Sequence, residues 1–403
     1  MDINESRTRK YLIVWIICII CFVILFFETI NHRLYLNDFR VYYEATKALL
    51  TGSQVYGIPF GLDTGMFKYS PFVLFLFIPF ASIPFTISGI LYFLIITALL
   101  VMSFLLCRSV LVTNLFQNRK KHEALFTILA LVFISNHLYR ELHLGNTNII
   151  LIFLFLTSLK LILDGKEYTA GILFGIALLL KPYLLLLGIV LLFHKKWRVI
   201  AGTSIMIVLQ GIIMILSLGF TKSLNLHADW ASTMITHSES YGSNNNIAFL
   251  LHTLFNTEIS ATNNLMIIAV SALLISGFVI YNLELKSGKP TREVISRKNF
   301  IFEWFIAAAA LPSIVNTDTQ HFMYSLPLIM LILFYFAQNP NYMLGIVLSV
   351  IFLLYGTNSN DLVGDTIGNF FDRIGAVGIS NIMIILVTVY ISIIEKRKDV
   401  LYE

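Results

Sequence analysis

The sequence predicts an all-α polytopic membrane protein, on three observations: its apolar composition, its recurring uncharged runs, and the placement of its positive charges between those runs. Of 403 residues, 57% are hydrophobic and only 13% charged, about half the share usual in soluble domains. With a mean hydropathy of +0.81, a chain of this length has more apolar surface than a soluble core can hide. Lipid must replace water around much of it. Helices are the expected element, because a helix satisfies its own backbone hydrogen bonds inside the bilayer.

The first apolar run, 11–30, follows Arg7, Arg9 and Lys10. It has spanning length, exceeds a signal-peptide core, and has no small-residue cleavage pattern after it, so it reads as a retained first helix. Further spans are drawn at 86–107, 124–138, 148–163, 169–181, 183–194, 199–219, 264–281, 300–314, 322–337, 342–356 and 376–394, about 12 crossings in one transmembrane domain covering 1–403. The runs on either side of Lys181-Pro182 are short, which points to broken helices whose irregular backbone is buried in protein or lines a cavity.

Most of the 28 Lys and Arg residues fall in clusters between runs: the N-terminus, Arg108 to Lys121, Lys160 and Lys166, Lys195 to Arg198, Lys286 to Lys298, and Lys396 to Lys398. Placed in the cytoplasm, they give one consistent path with both termini inside. The net charge of +5 is therefore a topology signal, with no face for nucleic acid. Cys18 and Cys21 lie within the first run and read as packing residues; no disulfide framework is implied. The cytoplasmic loops hold no P-loop, no GxGxxG and no folded domain. Chemistry is expected on the other side.

That side receives the first outer loop, 31–85, and a second large loop, 220–263, with shorter segments at 139–147, 315–321 and 357–375. In the first loop Phe39, Tyr42, Ala45 or Thr46, and Leu49 recur at helical spacing, predicting an amphipathic helix at the membrane boundary. Asp38 stands at its start, where it serves as a helix N-cap or as a catalytic carboxylate. The stretch 71–84 reads as an interfacial or re-entrant helix. Before it, Lys68 either snorkels to headgroups or meets a lipid phosphate. The segment from His137 through Arg140, Glu141 and His143 to Gly145-Asn146-Thr147-Asn148 is either a turn and cap or part of a site. Lys181 is an isolated charge within an apolar run, which favours a functional role because such charges are costly in a membrane. His321 follows Leu311-Pro312 and Asp318 on the outer side.

Taken together these segments resemble glycosyltransferase family 87, the polyprenol-phosphate-mannose-dependent alpha-mannosyltransferase-like proteins of bacteria. The resemblance rests on Asp38-Phe39, Tyr43-Glu44-Ala45 and Gly52 to Tyr56, then Phe67-Lys68-Tyr69-Ser70-Pro71. It continues through Gly145-Asn146-Thr147-Asn148, with Asn146 where the family pattern has Gln, and through Ala170-Gly171, Gly175 and Lys181-Pro182. Order and spacing agree over roughly 11–200. Beyond that, Leu311-Pro312 to His321 echoes a family element without its Trp.

The resemblance implies a C-type glycosyltransferase bundle with an outward cavity roofed by the first loop. It also implies a polyprenyl-phosphate sugar donor, a lipid or glycan acceptor, inversion at the sugar carbon, no cofactor and no required metal. Asp38 corresponds to the family's functional acid. The expected substrate-binding residues are Lys181, Arg140, Lys68, Tyr69, His321, Asn146 and Asn148. The expected location is the bacterial plasma membrane with the site facing outward, among membrane lipids. Rival readings are a polymerase or ligase of lipid-linked polysaccharides, a transporter, or an inactive scaffold. Against the first, Lys222 is the one basic residue of the 220–263 loop; against the second, no internal repeat is visible.

Overall fold

The computed structural model describes residues 3–62, 65–116, 123–240, 244–256, 261–284, 292–315 and 317–401. Within them the chain is almost wholly helical; a two-residue hairpin pairing Pro59 and Phe60 with Gly65 and Met66 is the one sheet among these residues. In chain order the helices are α1 (Ile3–Ile30), α2 (Asn37–Thr51), α3 (Pro71–Ala81), α4 (Phe85–Asn114), α5 (Glu123–Phe133), α6 (Ser135–Leu144), α7 (Asn148–Leu163) and α8 (Glu167–Leu180). They continue as α9 (Leu187–Phe193), α10 (Trp197–Leu218), α11 (Phe220–Ser240), α12 (Ile247–Phe255), α13 (Ala261–Glu284) and α14 (Arg292–Ile314). The last are α15 (Leu326–Gln338), α16 (Tyr342–Tyr355), α17 (Asn360–Val363), α18 (Asp365–Ile374) and α19 (Ala376–Leu401).

Five helical stretches among the described residues are long and apolar enough to cross a bilayer: Tyr11–Ile30, Phe85–Asn114, Trp197–Leu218, Thr319–Gln338 and Ala376–Glu395. The chain is an all-α, multi-pass membrane protein. Apolar helices of 10–17 residues account for several other runs, among them α3, α7, α8 and α16. The run expected as one span over 124–138 is instead two helices, α5 and α6, bent by 63°. The reason is chemical: apolar sequence gives way to Ser135 and Asn136, and Asn136 donates its side-chain amide to the carbonyl of Asn358. Within 220–263, residues Phe220–Ser240 and Ile247–Phe255 form α11 and α12.

The chain forms two compact units. The first comprises Met1–Ser103, Tyr139–Pro182 and Arg198–Ser240. Its centre is aromatic: Phe39 of α2 is fully buried, stacks on Tyr92 of α4 at 4.3 Å, and meets Phe77, Phe80 and Phe85. Helices α8 and α10 approach backbone to backbone. A Cβ placed on Gly171 would lie 2.1 Å from the Val199 carbonyl and 2.9 Å from the Gly202 Cα. Thr203 Oγ1 donates to the Gly171 carbonyl at 3.1 Å across the same contact, the small-residue packing that membrane helices use.

The second unit comprises Phe104–Leu138, Tyr183–Trp197 and Tyr241–Glu403. Here α14, α15 and α19 pack together, with Trp304 and Phe305 fully buried. Asn381 of α19 donates to the Ala309 carbonyl and to Ser313 Oγ of α14. A buried cluster joins α14 to α13 and to the end of α9 at Glu303, Asn282 and His194, with His194 Nε2 2.5 Å and Asn282 Nδ2 2.9 Å from the Glu303 carboxylate. The side chains of Asn381, His194, Asn282 and Glu303 are each paired in these apolar surroundings, as burial demands.

Candidate active site

Asp38 lies in the first turn of α2 and does not cap it. The cap position is Leu36, in left-handed backbone (φ 43°) and without a side-chain capping bond. Such a conformation is costly for a branched residue and persists only when its surroundings hold it. Leu36 is fully buried, and its methyl groups fill the space beside Gly89 and Gly145, where an added Cβ would lie 3.0 and 3.2 Å from them. Gly145 itself has φ +66° and would carry a Cβ 3.0 Å from that of Phe39. Only glycine satisfies both demands there. The start of α2 is thereby pressed against the turn that follows α6.

That contact brings Asn146 to Asp38. Asn146 Nδ2 donates to Asp38 Oδ2 at 2.6 Å. Its other amide atom, Oδ1, accepts from the Thr147 backbone N–H at 2.6 Å and from Lys181 Nζ at 3.4 Å. The Asn146 carbonyl accepts from the hydroxyl of Tyr92 at 3.0 Å. With donor and acceptor ends both engaged, the amide has one orientation.

Lys181 reaches this place because the next residue is proline. A residue before proline is disfavoured in the α region; Lys181 is extended (φ −142°, ψ 101°) and ends α8. Its side chain is buried, 6% exposed, and Nζ donates to Asn148 Oδ1 at 2.7 Å. Asn148, fully buried, donates from Nδ2 to Glu141 Oε2 at 2.8 Å. Glu141, also fully buried, takes the Ile149 backbone N–H on Oε1 at 3.2 Å, serving one of the orphan amides at the start of α7. The result is a continuous chain, Asp38–Asn146–Lys181–Asn148–Glu141, with an asparagine between the lysine and each carboxylate.

Hydroxyl groups flank it. Tyr69 lies 2.8 Å from the Tyr42 hydroxyl and accepts from Thr147 Oγ1 at 3.4 Å. Burial pushes both phenols well above their ordinary value; at Tyr69 the Asp38 carboxylate adds to it. Both stay neutral hydrogen-bonding groups. The backbone around Tyr69 is tied down twice, by Tyr56 donating to the Tyr69 carbonyl at 2.8 Å and by Trp230 Nε1 of α11 donating to the Lys68 carbonyl at 3.0 Å.

Of the residues expected from sequence, Asp38, Asn146, Asn148, Lys181 and Tyr69 meet in this network. Lys68 is half-buried beside it, and Arg140 is exposed on α6. His321 belongs to the second unit, in the 3-10 turn Thr319–Ser325, where Nδ1 faces the Asp318 carbonyl at 3.1 Å. Glu141, Thr147, Tyr42 and Tyr92 were not among the expected site residues. Glu141 stood in the segment singled out, but a phosphate leaving group directs attention to cations, and its neighbour Arg140 drew the assignment.

The model of glycosyltransferase family 87 matches residues 67–302, more than half of the chain. The chain belongs to glycosyltransferase family 87. It is a membrane glycosyltransferase, as its apolar helices and this membership together require. Neither a curated protein nor a solved structure gives a significant match. The family segment contains Tyr69, Glu141, Asn146, Asn148 and Lys181, whereas Asp38 precedes it and His321 follows it.

Proposed function

We propose that this family 87 glycosyltransferase moves a hexose, mannose by the family resemblance, from a polyprenyl-phosphate donor to a lipid or glycan acceptor on the outer face of the membrane. Asp38 is the general base. The observation that carries this reading is the chain from Asp38 through Asn146 to Lys181, which sets a carboxylate and a cation one amide apart. The amide favours the ionised carboxylate and fixes its position without taking its charge.

In the proposed step, the acceptor hydroxyl gives its proton to Asp38 as its oxygen attacks the anomeric carbon. The bond from that carbon to the phosphate oxygen breaks, and the electron pair leaves with polyprenyl phosphate. Lys181 stabilises the charge that grows on the phosphate. Attack opposite the leaving group inverts the sugar carbon. Tyr69 and Tyr42 offer hydroxyls to the sugar, with Lys68 and Arg140 as further donor contacts.

The test is transfer of labelled mannose from synthetic polyprenyl-phosphate mannose by purified protein and by Asp38→Asn. Asparagine can still accept from Asn146, so the variant folds as the parent does. Loss of a general base lowers the rate by about 100-fold to 10,000-fold. Full activity in Asp38→Asn removes it from the role. A wild-type protein that transfers nothing from this donor overturns the donor assignment.

A further inference from the structure

We propose that Glu141 is a positioning residue for the donor phosphate, acting through Asn148 on Lys181; this rests on the function proposed above. Asn148 can hold an ammonium only through its oxygen, and an amide buried among polar partners can turn either way. Glu141 decides which. A carboxylate has no donor, so Oε2 accepts the Asn148 Nδ2–H at 2.8 Å and obliges Oδ1 to face Lys181 Nζ at 2.7 Å. The carboxylate is itself fixed by the Ile149 N–H on its second oxygen at 3.2 Å. The amide of Asn148 stands between the carboxylate and the ammonium and orients the ammonium. Asn146 stands in the same relation to Asp38 on the other side. Lys181 is thus held by two amide oxygens, each on an asparagine whose nitrogen donates to a carboxylate.

A simpler role for Glu141 is to cap α7, and the two roles differ in what they move. Glu141→Gln keeps the size, but its amide has one acceptor for two incoming N–H groups. The Gln NH2 then faces the Asn148 NH2, and Asn148 turns its oxygen away from Lys181. The expected outcome is a donor KM raised about tenfold, the scale of one hydrogen bond to a charged group, with kcat close to the parent. Adding Asn148→Asp to Glu141→Gln restores the pattern: the Gln oxygen accepts Ile149 N–H, its NH2 donates to the new carboxylate, and that carboxylate holds Lys181. Donor KM in this double variant returns toward the parent value.

The measurement uses the full-length protein in nanodiscs with polyprenyl-phosphate mannose, together with dodecyl phosphate in a thermal-shift titration. A raised donor KM and a weakened dodecyl phosphate response in Glu141→Gln, both recovered in the double variant, support the proposal. An unchanged donor KM, or one that Asn148→Asp does not recover, overturns it while leaving the function of Asp38 intact. If Glu141→Gln does not fold, Asn148→Ala keeps the α7 cap and cuts the link to Lys181; an unchanged donor KM there overturns the proposal equally. Wild type inactive with this donor overturns the proposed function instead. An undiminished dodecyl phosphate response in Glu141→Gln then overturns the inference on its own.

Discussion

Asn146 and Asp38 are separated by 108 positions in the chain and joined by a 2.6 Å hydrogen bond from the amide nitrogen to the carboxylate. Every other atom of the Asn146 amide and its carbonyl is also engaged, by Thr147, Lys181 and Tyr92. Asp38 is therefore presented by a group that cannot turn.

Replacing that amide by an acid tests what the contact does. In Asn146→Asp two carboxylates share the space of one hydrogen bond, and their repulsion raises the proton affinity of the pair. Transfer requires a deprotonated base. The acid limb of the pH–rate profile should move to higher pH, with activity partly recovered in alkaline buffer. A profile that keeps its acid limb would show that Asp38 is not the titrating base.

Lys181→Ala removes the cation from between Asn146 and Asn148. The expected result is a donor KM raised about tenfold or more, the weight of a charge-assisted hydrogen bond, with acceptor KM little changed. Equal effects on donor and acceptor would return Lys181 to a structural role.

Gly171→Val tests the packing beneath the site. The new side chain would meet the Val199 carbonyl at a distance no Cβ can occupy, so α8 and α10 must separate. The cost should be about 3 kcal/mol, read as a lowered unfolding midpoint in detergent. Gly211, with open space around it in α10, serves as the control position.

The buried phenols make an alkaline prediction. Burial raises Tyr42, Tyr56 and Tyr69 above the ordinary phenol value. A group raised in the folded state contributes stability that is complete below its unfolded value of about 10 and is lost as pH rises beyond it. Stability should fall above about pH 10, and Tyr69→Phe should make the fall shallower. The same slope in both proteins would show that Tyr69 has no part in it.

Much of the fold was legible because its causes are local. A run such as Tyr11–Ile30 announces a span by length and composition alone. The break at Lys181-Pro182 follows from proline sterics, and α2 follows from the spacing of Phe39, Tyr42 and Leu49, all buried. The 63° bend between α5 and α6 was not legible, since no proline or glycine marks it.

The sequence by itself determined a helical membrane protein, its family, and the polar residues too costly to bury in apolar runs without purpose. Tertiary structure alone decided which of these residues meet. The N-cap position, one of the two roles open to Asp38, is taken by Leu36, held in the gaps at Gly89 and Gly145. Glu141, in a segment that reads as either a turn and cap or part of a site, ends the chain through Asn148 to Lys181. The physical reason is the same in each case. Hydropathy and backbone preference act over a few neighbouring residues and are written in order along the chain. A hydrogen bond depends on the position and orientation of two groups that only packing brings together.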